Sequence, residues 1–225
     1  MLLAVDTSTS QAGLAVYDGQ VRAETIWWAG RNHARQLMPA VRCALDQLGK
    51  QPADLQCLAA ARGPGSFTGL RVGLAAARGL AFALGIPLYG VGSLDVLAAG
   101  LAASPWPVRA VLDAGRGRVA TALYHRDGDV WQRSTDIVGV DVDGLVRLVS
   151  EDERGQNACV VAGDLTDEAR ARLAALGERV WIAPPALSVR RPAVLAEIAW
   201  RAWRKGETPG PQAGEPIYLT RAEES

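Results

Sequence analysis

The sequence predicts an α/β fold assembled from a duplicated βββαβα unit, and three observations carry that prediction. Leu3-Ala4-Val5-Asp6 and Ala110-Val111-Leu112-Asp113 are matching apolar segments of strand type that end in aspartate. Each is followed by a second strand and a hairpin signal, Asp18-Gly19 in the first half and Asp127-Gly128 in the second; Tyr17-Asp18-Gly19-Gln20-Val21 resembles His125-Arg126-Asp127-Gly128-Asp129-Val130. Both openings then give way to alternating helix and strand, as a duplicated unit requires. Ser104-Pro105-Trp106-Pro107 is the best boundary. We therefore expect a first subdomain over 1–104, completed by a helix at 191–205, a smaller second subdomain over 105–190, and an extended tail over 206–225.

In order, strands are expected at Leu2 to Val5, Ala12 to Tyr17 and Val21 to Trp28, with Asp6 followed by Thr7-Ser8-Thr9-Ser10. Asn32 can cap a helix to about Leu48, whose apolar stripe is Leu37, Val41, Leu45 and Leu48; Pro39 begins its regular part or kinks it. Cys57 to Ala61 reads as a buried strand, Leu70 to Leu84 as a helix, Pro87 to Val91 as a strand and Ser93 to Ala103 as a helix. The second half repeats the scheme: strands at Val108 to Asp113, Arg118 to His125 and Val130 to Val138, a helix near Asp141 to Ser150, and a strand from Ala158 to Gly163. A helix capped by Thr166 and a strand from Arg179 to Ala183 follow. Arg191 to Lys205 closes the fold as a helix in which Trp200 and Trp203 are packing residues, and Glu223 and Glu224 fall in a frayed tail.

Composition bounds the function. The chain has 225 residues, 49% hydrophobic and 21% charged, enough for one large core or two small ones. Its 24 basic and 24 acidic residues balance, so no bulk field draws it to nucleic acid or an anionic membrane. Three scattered cysteines without a Cys-x-x-Cys pair suit a reducing cytoplasm, and two histidines, His33 and His125, make a zinc site improbable. The N-terminus has no basic leader, and no uninterrupted apolar stretch approaches membrane-spanning length.

The densest signal is Arg62-Gly63-Pro64-Gly65-Ser66-Phe67-Thr68-Gly69-Leu70-Arg71-Val72-Gly73, a strand, a tight turn and a helix start. Gly63 and Gly65 permit positive φ or close backbone approach, and Ser66 or Thr68 can cap the helix. No lysine follows, so it is not a P-loop; Pro64 stands where a nucleophile elbow needs glycine. It either lets the helix pack closely on the sheet or binds an anion at the helix N-terminus. In that helix Gly69, Gly73, Ala77 and Ala81 form a stripe of small side chains against which another backbone could come close, and Arg71 and Arg78 are its only charges. So apolar a helix is either central to the core or partly covered by another protein.

The two halves have the pattern of the actin-like or sugar-kinase-like ATPase superfamily, in which each half opens with a phosphate loop carrying an aspartate. Asp6, with Thr7 and Ser8, and Asp113 fall at those places; the alternative for Asp6 is a turn cap, and for Asp113, beside Gly115 and Gly117, a turn.

The quoted residues go further. Val5-Asp6-Thr7-Ser8, Asn32-His33 with Leu37 and Pro39, the Arg62 to Gly73 loop, Leu112-Asp113-Ala114 and Pro216-Ile217-Tyr218-Leu219 together resemble the TsaB (YeaZ) family of bacterial tRNA threonylcarbamoyladenosine biosynthesis proteins, over nearly the whole chain. The resemblance implies a non-catalytic subunit that pairs with its paralogue TsaD and with the ATPase TsaE, in an assembly that transfers a threonylcarbamoyl group to tRNA. It implies tRNA contact only within that complex, no membrane, and a bundle between the two N-terminal helices and the equivalent pair of TsaD, or of a second copy when TsaD is absent. The expected interface is His33, Leu37, Val41, Leu45, Gly69, Arg71, Gly73, Leu74, Ala77, Arg78 and Ala81. On that reading Leu74→Glu or Ala77→Glu abolishes pairing and leaves the monomer folded.

TsaD-like catalytic subunits carry a metal-binding His-x-x-x-His where this chain has Ser93 and Leu97, which cannot replace two imidazoles; no metal and no catalytic residue is expected. Adenosine in the superfamily sits on a Gly-Gly type turn, for which the nearest candidate is Gly163-Asp164, so weak or no ATP or ADP binding is expected. Two rival readings remain: an ATPase or small-molecule kinase of the same fold using Asp6 and Asp113, and, least supported, a peptidase, which needs an oriented base that two scattered histidines do not supply.

Overall fold

A computed structural model describes residues 1–217 and 219, apart from 129 and 157, and only the backbone at 153–156. Asp129 of the second hairpin, Tyr218 of the C-terminal motif and the tail with Glu223 and Glu224 lie outside the described residues. The chain divides into two compact units, Met1–Val96 with Arg191–Tyr218, and Leu97–Arg190 with Leu219–Ser225.

Unit 1 is a five-stranded sheet of order β3-β2-β1-β4-β5, built from β1 (Leu2–Asp6), β2 (Gln11–Tyr17), β3 (Val21–Trp28), β4 (Cys57–Ala61) and β5 (Leu88–Val91). β1, β2 and β3 pair antiparallel, β1, β4 and β5 parallel. Both faces are covered, which is why β1 and β4 read as unbroken apolar runs. Leu2 and Ala4 pack with α6 (Pro192–Arg204), where Trp200 and Trp203 also lie, their rings 5.0 Å apart. Leu3 and Val5 turn to the other face, against Leu37, Val41 and Leu45 of α1 (His33–Gln47) and Leu74, Ala77 and Ala81 of α2 (Phe67–Leu84). Gly13 on β2 leaves room for Pro192, with which a Cβ would collide. α3 (Ser93–Ala99) follows β5.

Unit 2 repeats the pattern with β6 (Val108–Gly115), β7 (Arg118–Asp127), β8 (Val130–Arg133), β10 (Cys159–Gly163) and β11 (Val180–Ile182) in the order β8-β7-β6-β10-β11; β9 (Val138–Val140) pairs with β7. Position by position this is the order of unit 1, antiparallel on one side of the first strand and parallel on the other. α4 (Val142–Gln156) and α5 (Asp167–Ala174) supply Leu145, Val149 and Leu173 to a core with Val111, Cys159 and Val161. A buried pair of hydrogen bonds from Arg109 to Asp152, 2.6 and 2.7 Å, ties β6 to α4. Burial pushes the Cys159 thiol up to about 12, so it acts as a small apolar side chain.

Several expectations change. The division falls at Val96–Leu97, inside α3, rather than at 104–105. That helix stops at Ala99, before Gly100, instead of reaching Ala103. The expected third strand of unit 2 is split into β8 and β9 by the polar segment 134–137. Residues 206–217, expected as an extended tail, return along unit 1: the Tyr89 hydroxyl donates to Glu207 O at 2.5 Å and Ile217 N to Arg62 O at 2.6 Å.

Candidate functional site

The turn between β1 and β2 is the most heavily constrained loop of unit 1. Asp6, Thr7, Ser8 and Thr9 are all buried. Asp6 Oδ1 accepts from Ser8 N at 2.8 Å and from the Ser8 hydroxyl at 2.6 Å, the geometry of a carboxylate capping its own turn. The Thr7 hydroxyl donates to Gly69 O at 2.7 Å, and Ser66 N donates to Ser8 O at 2.6 Å. His33 Nε2, at the start of α1, donates to Thr9 O at 2.7 Å, so this histidine is a buried fastener of the loop.

These contacts explain the glycines downstream. A Cβ at Gly65 would collide with Ser8 O, one at Gly69 with Thr7 O, and one at Gly73 with Thr7 Oγ1. Ser66 caps α2 by accepting from Gly69 N at 3.3 Å. The stripe Gly69, Gly73, Ala77, Ala81 is therefore spent inside the chain, letting α2 lie directly on the β1–β2 turn and the sheet. This corrects the expected interface. His33, Leu37, Val41, Leu45, Gly69, Gly73, Leu74, Ala77 and Ala81 are all buried in the single chain, and only Arg71 and Arg78 of that set face outward. Leu74→Glu and Ala77→Glu would place a carboxylate in the core rather than at a surface.

What α1 and α2 present outward is a different set. Phe82 is 92% exposed, Phe67 53% and Met38 46%, with Arg71 stacked 3.7 Å over the Phe67 ring. Between the two phenylalanines α2 exposes Ala75 and Gly79, with Ala83 exposed just beyond Phe82, and an added Cβ at Gly79 meets nothing within 4 Å. A glycine inside a helix costs about 1 kcal/mol relative to alanine. Nothing in the chain around Gly79 calls for one. The sequence did carry a signal for this face: Phe67, Arg71, Ala75 and Phe82 follow helical spacing and lie with the two arginines.

By length and composition alone α2 could cross a membrane, although Arg71 and Arg78 interrupt its apolar run. Its inner face, however, is packed in the core described above.

In unit 2 Asp113 is exposed; its Oδ1 accepts from Gly115 N at 2.8 Å, a turn of its own making. The Asp164 carboxylate accepts from Asp113 N at 3.2 Å and lies 3.9 Å from the buried Arg190 guanidinium. Gly163, at φ +125°, passes so close to Val111 O that a Cβ would collide. Ser93 and Leu97 are both buried on α3, with Ser93 N donating to Gly63 O at 2.8 Å. Among the described residues no three His, Cys, Asp or Glu side chains gather.

The comparisons with known proteins agree with this architecture. Residues 27–199 match the family TsaD, described as tRNA N6-adenosine threonylcarbamoyltransferase. The tRNA threonylcarbamoyladenosine biosynthesis protein TsaB of Bacillus subtilis is 34% identical over 68% of this chain and 67% of its own length. Its Escherichia coli counterpart is 30% identical over 97% and 94%. The solved structure of YeaZ from Pseudomonas aeruginosa superposes with a TM-score of 0.77 at 26% identity, covering 97% of this chain and 99% of that one. With a TsaD-type match over most of its length, near-complete coverage by TsaB and the YeaZ fold, an actin-like α/β architecture, the chain belongs to the TsaB (YeaZ) family of tRNA threonylcarbamoyladenosine biosynthesis proteins.

Proposed function

We propose that the chain is a non-catalytic subunit of the cytoplasmic machinery that makes threonylcarbamoyladenosine in tRNA, and that it works by pairing with TsaD, with TsaE joining the assembly and tRNA met only within it. The observation that carries this reading is the outer face of α1 and α2, where Phe67, Phe82 and Met38 stand in water around a helix surface of Ala75, Gly79 and Ala83. Large apolar side chains rimmed by Arg71 and Arg78 suit a protein partner, and the small residues between them allow a helix backbone to approach. A second copy of the chain occupies the face when TsaD is absent.

The non-catalytic role is supported by Ser93 and Leu97, side chains without metal affinity at the family's histidine positions. Weak or absent nucleotide binding is supported by the Asp6 carboxylate, drawn into its own turn, and by Asp164, which takes the place of a small residue after Gly163. Threonylcarbamoyl transfer to tRNA, assayed with TsaD and TsaE in the presence and absence of this chain, tests the proposal. Transfer should depend on the chain while the chain alone turns over neither ATP nor tRNA. ATP hydrolysis by the purified chain would favour the kinase-like reading instead.

A further inference from the structure

The segment 206–217 rounds the free edge of β5 and forms with it a cavity of about 370 Å³ that is open to solvent on one side. Its path is pinned on both faces of the sheet. On the α6 side the Tyr89 hydroxyl holds Glu207 O at 2.5 Å. On the α2 side Ala213 O lies against Gly90, where a Cβ would collide, and Gly214 sits on the side chain of Arg78. Arg62 Nε then donates to Glu215 O at 3.2 Å, and Ile217 N to Arg62 O. Between these feet Pro209 and Pro211 stiffen an arch closed by a bond from Ala213 N to Gly210 O at 2.9 Å. The arch stands off the strand, and its volume lies within the roughly 300–1,000 Å³ range of small-molecule sites.

The polar groups inside are unspent. Leu58 N donates to Pro87 O and Arg62 N to Val91 O, so the odd-numbered residues of β5 face β4, and Gly90 turns its N–H and C=O outward beneath the arch. Neither group pairs with a described residue, nor do the two terminal nitrogens of Arg62. Glu207 lines the same cavity, and burial, Cys57 and the Glu207 charge together raise the pKa of the Tyr89 phenol on that wall. Arg62 and Glu207 are within reach of one volume yet form no ion pair with each other among the described residues.

We propose that this cavity binds a small zwitterion of the amino-acid class, its carboxylate on the Arg62 guanidinium and the Gly90 N–H, its ammonium group toward Glu207 and the Gly90 carbonyl. Separated opposite charges beside an unpaired backbone donor and acceptor match a ligand that carries both charges at short range. The cavity's lining includes none of the α1 and α2 side chains used in the pairing proposal, with Arg78, on which Gly214 rests, the one shared neighbour, so either proposal can fail without the other.

The test is titration of the full chain with glycine, with acetate and with methylammonium, followed by calorimetry or by amide shifts of residues 62, 89–90 and 207–213. Glycine should saturate in the millimolar range, about as tight as so few atoms allow. Acetate and methylammonium, each with half the charge pattern, should bind at least about tenfold more weakly. Arg62→Gln should lose glycine binding. Because Arg62 also holds the arch, Ala202→Phe, which fills the cavity from α6, should lose it with Arg62 intact and a single cooperative thermal transition retained. No saturation by glycine up to roughly 50 mM, undiminished binding in Ala202→Phe, or acetate or methylammonium binding as tightly as glycine would each overturn the assignment.

Discussion

The two faces of α2 are both made of small and apolar residues, yet they do opposite work. On the inner face Gly69, Gly73, Leu74, Ala77 and Ala81 are buried, and each glycine exists because Thr7 occupies the space its side chain would need. On the outer face Phe67, Ala75, Gly79 and Phe82 are exposed, and the glycine has open space around it. The difference teaches that a small residue marks close approach without saying by what. The inner glycines answer to a loop of the same chain; Gly79 has no such neighbour.

The comparison can be broken most forcefully from inside. Leu74 is 3% exposed, and Leu74→Glu should destabilise unit 1 by more than about 3 kcal/mol, read as loss of the native thermal transition. Next is the outer face: Phe82→Glu should change stability by no more than about 0.5 kcal/mol while weakening pairing with TsaD at least about tenfold by calorimetry. Gly79→Ala sharpens the point, since it should stabilise the free chain by about 0.5–1 kcal/mol in denaturant titration and still weaken pairing. The mildest effect is chemical. Cys43, exposed on α1, should be alkylated in the native chain, whereas Cys57 and Cys159, buried with thiols pushed up to about 12, should react only after unfolding. Equal native reactivity of all three would contradict the packing of both sheets.

Much of this fold is legible in the sequence because its strands carry strong local patterns. β1, β4 and β10 are short apolar runs with turn residues at their ends, and the paired hairpin signals expose the duplication. The orientation of α2 is not legible in that way. Almost every residue on it is small or apolar, so there is no polar face to set the direction of burial, and the regular Gly/Ala stripe suited an internal or an external neighbour equally. Only Arg71 and Arg78 point outward unambiguously. The course of residues 206–217 is hidden for another reason: Gly/Pro-rich segments have no periodicity, and the partners that fix this one, Arg62 and Tyr89, are more than a hundred residues away in the chain. For the site residues, the sequence pattern leads one to expect a phosphate-loop aspartate at Asp6, but whether its carboxylate faces a ligand or its own turn depends on Ser8, two positions on. Composition does not decide between those two geometries.

The most direct test of the account is light scattering on mixtures of TsaD with the wild-type chain and with Phe82→Glu. The wild type should form a heterodimer and the variant should stay a separate species, with a thermal midpoint equal to that of the wild type. A Phe82→Glu chain that pairs with TsaD as tightly as the wild type would contradict it.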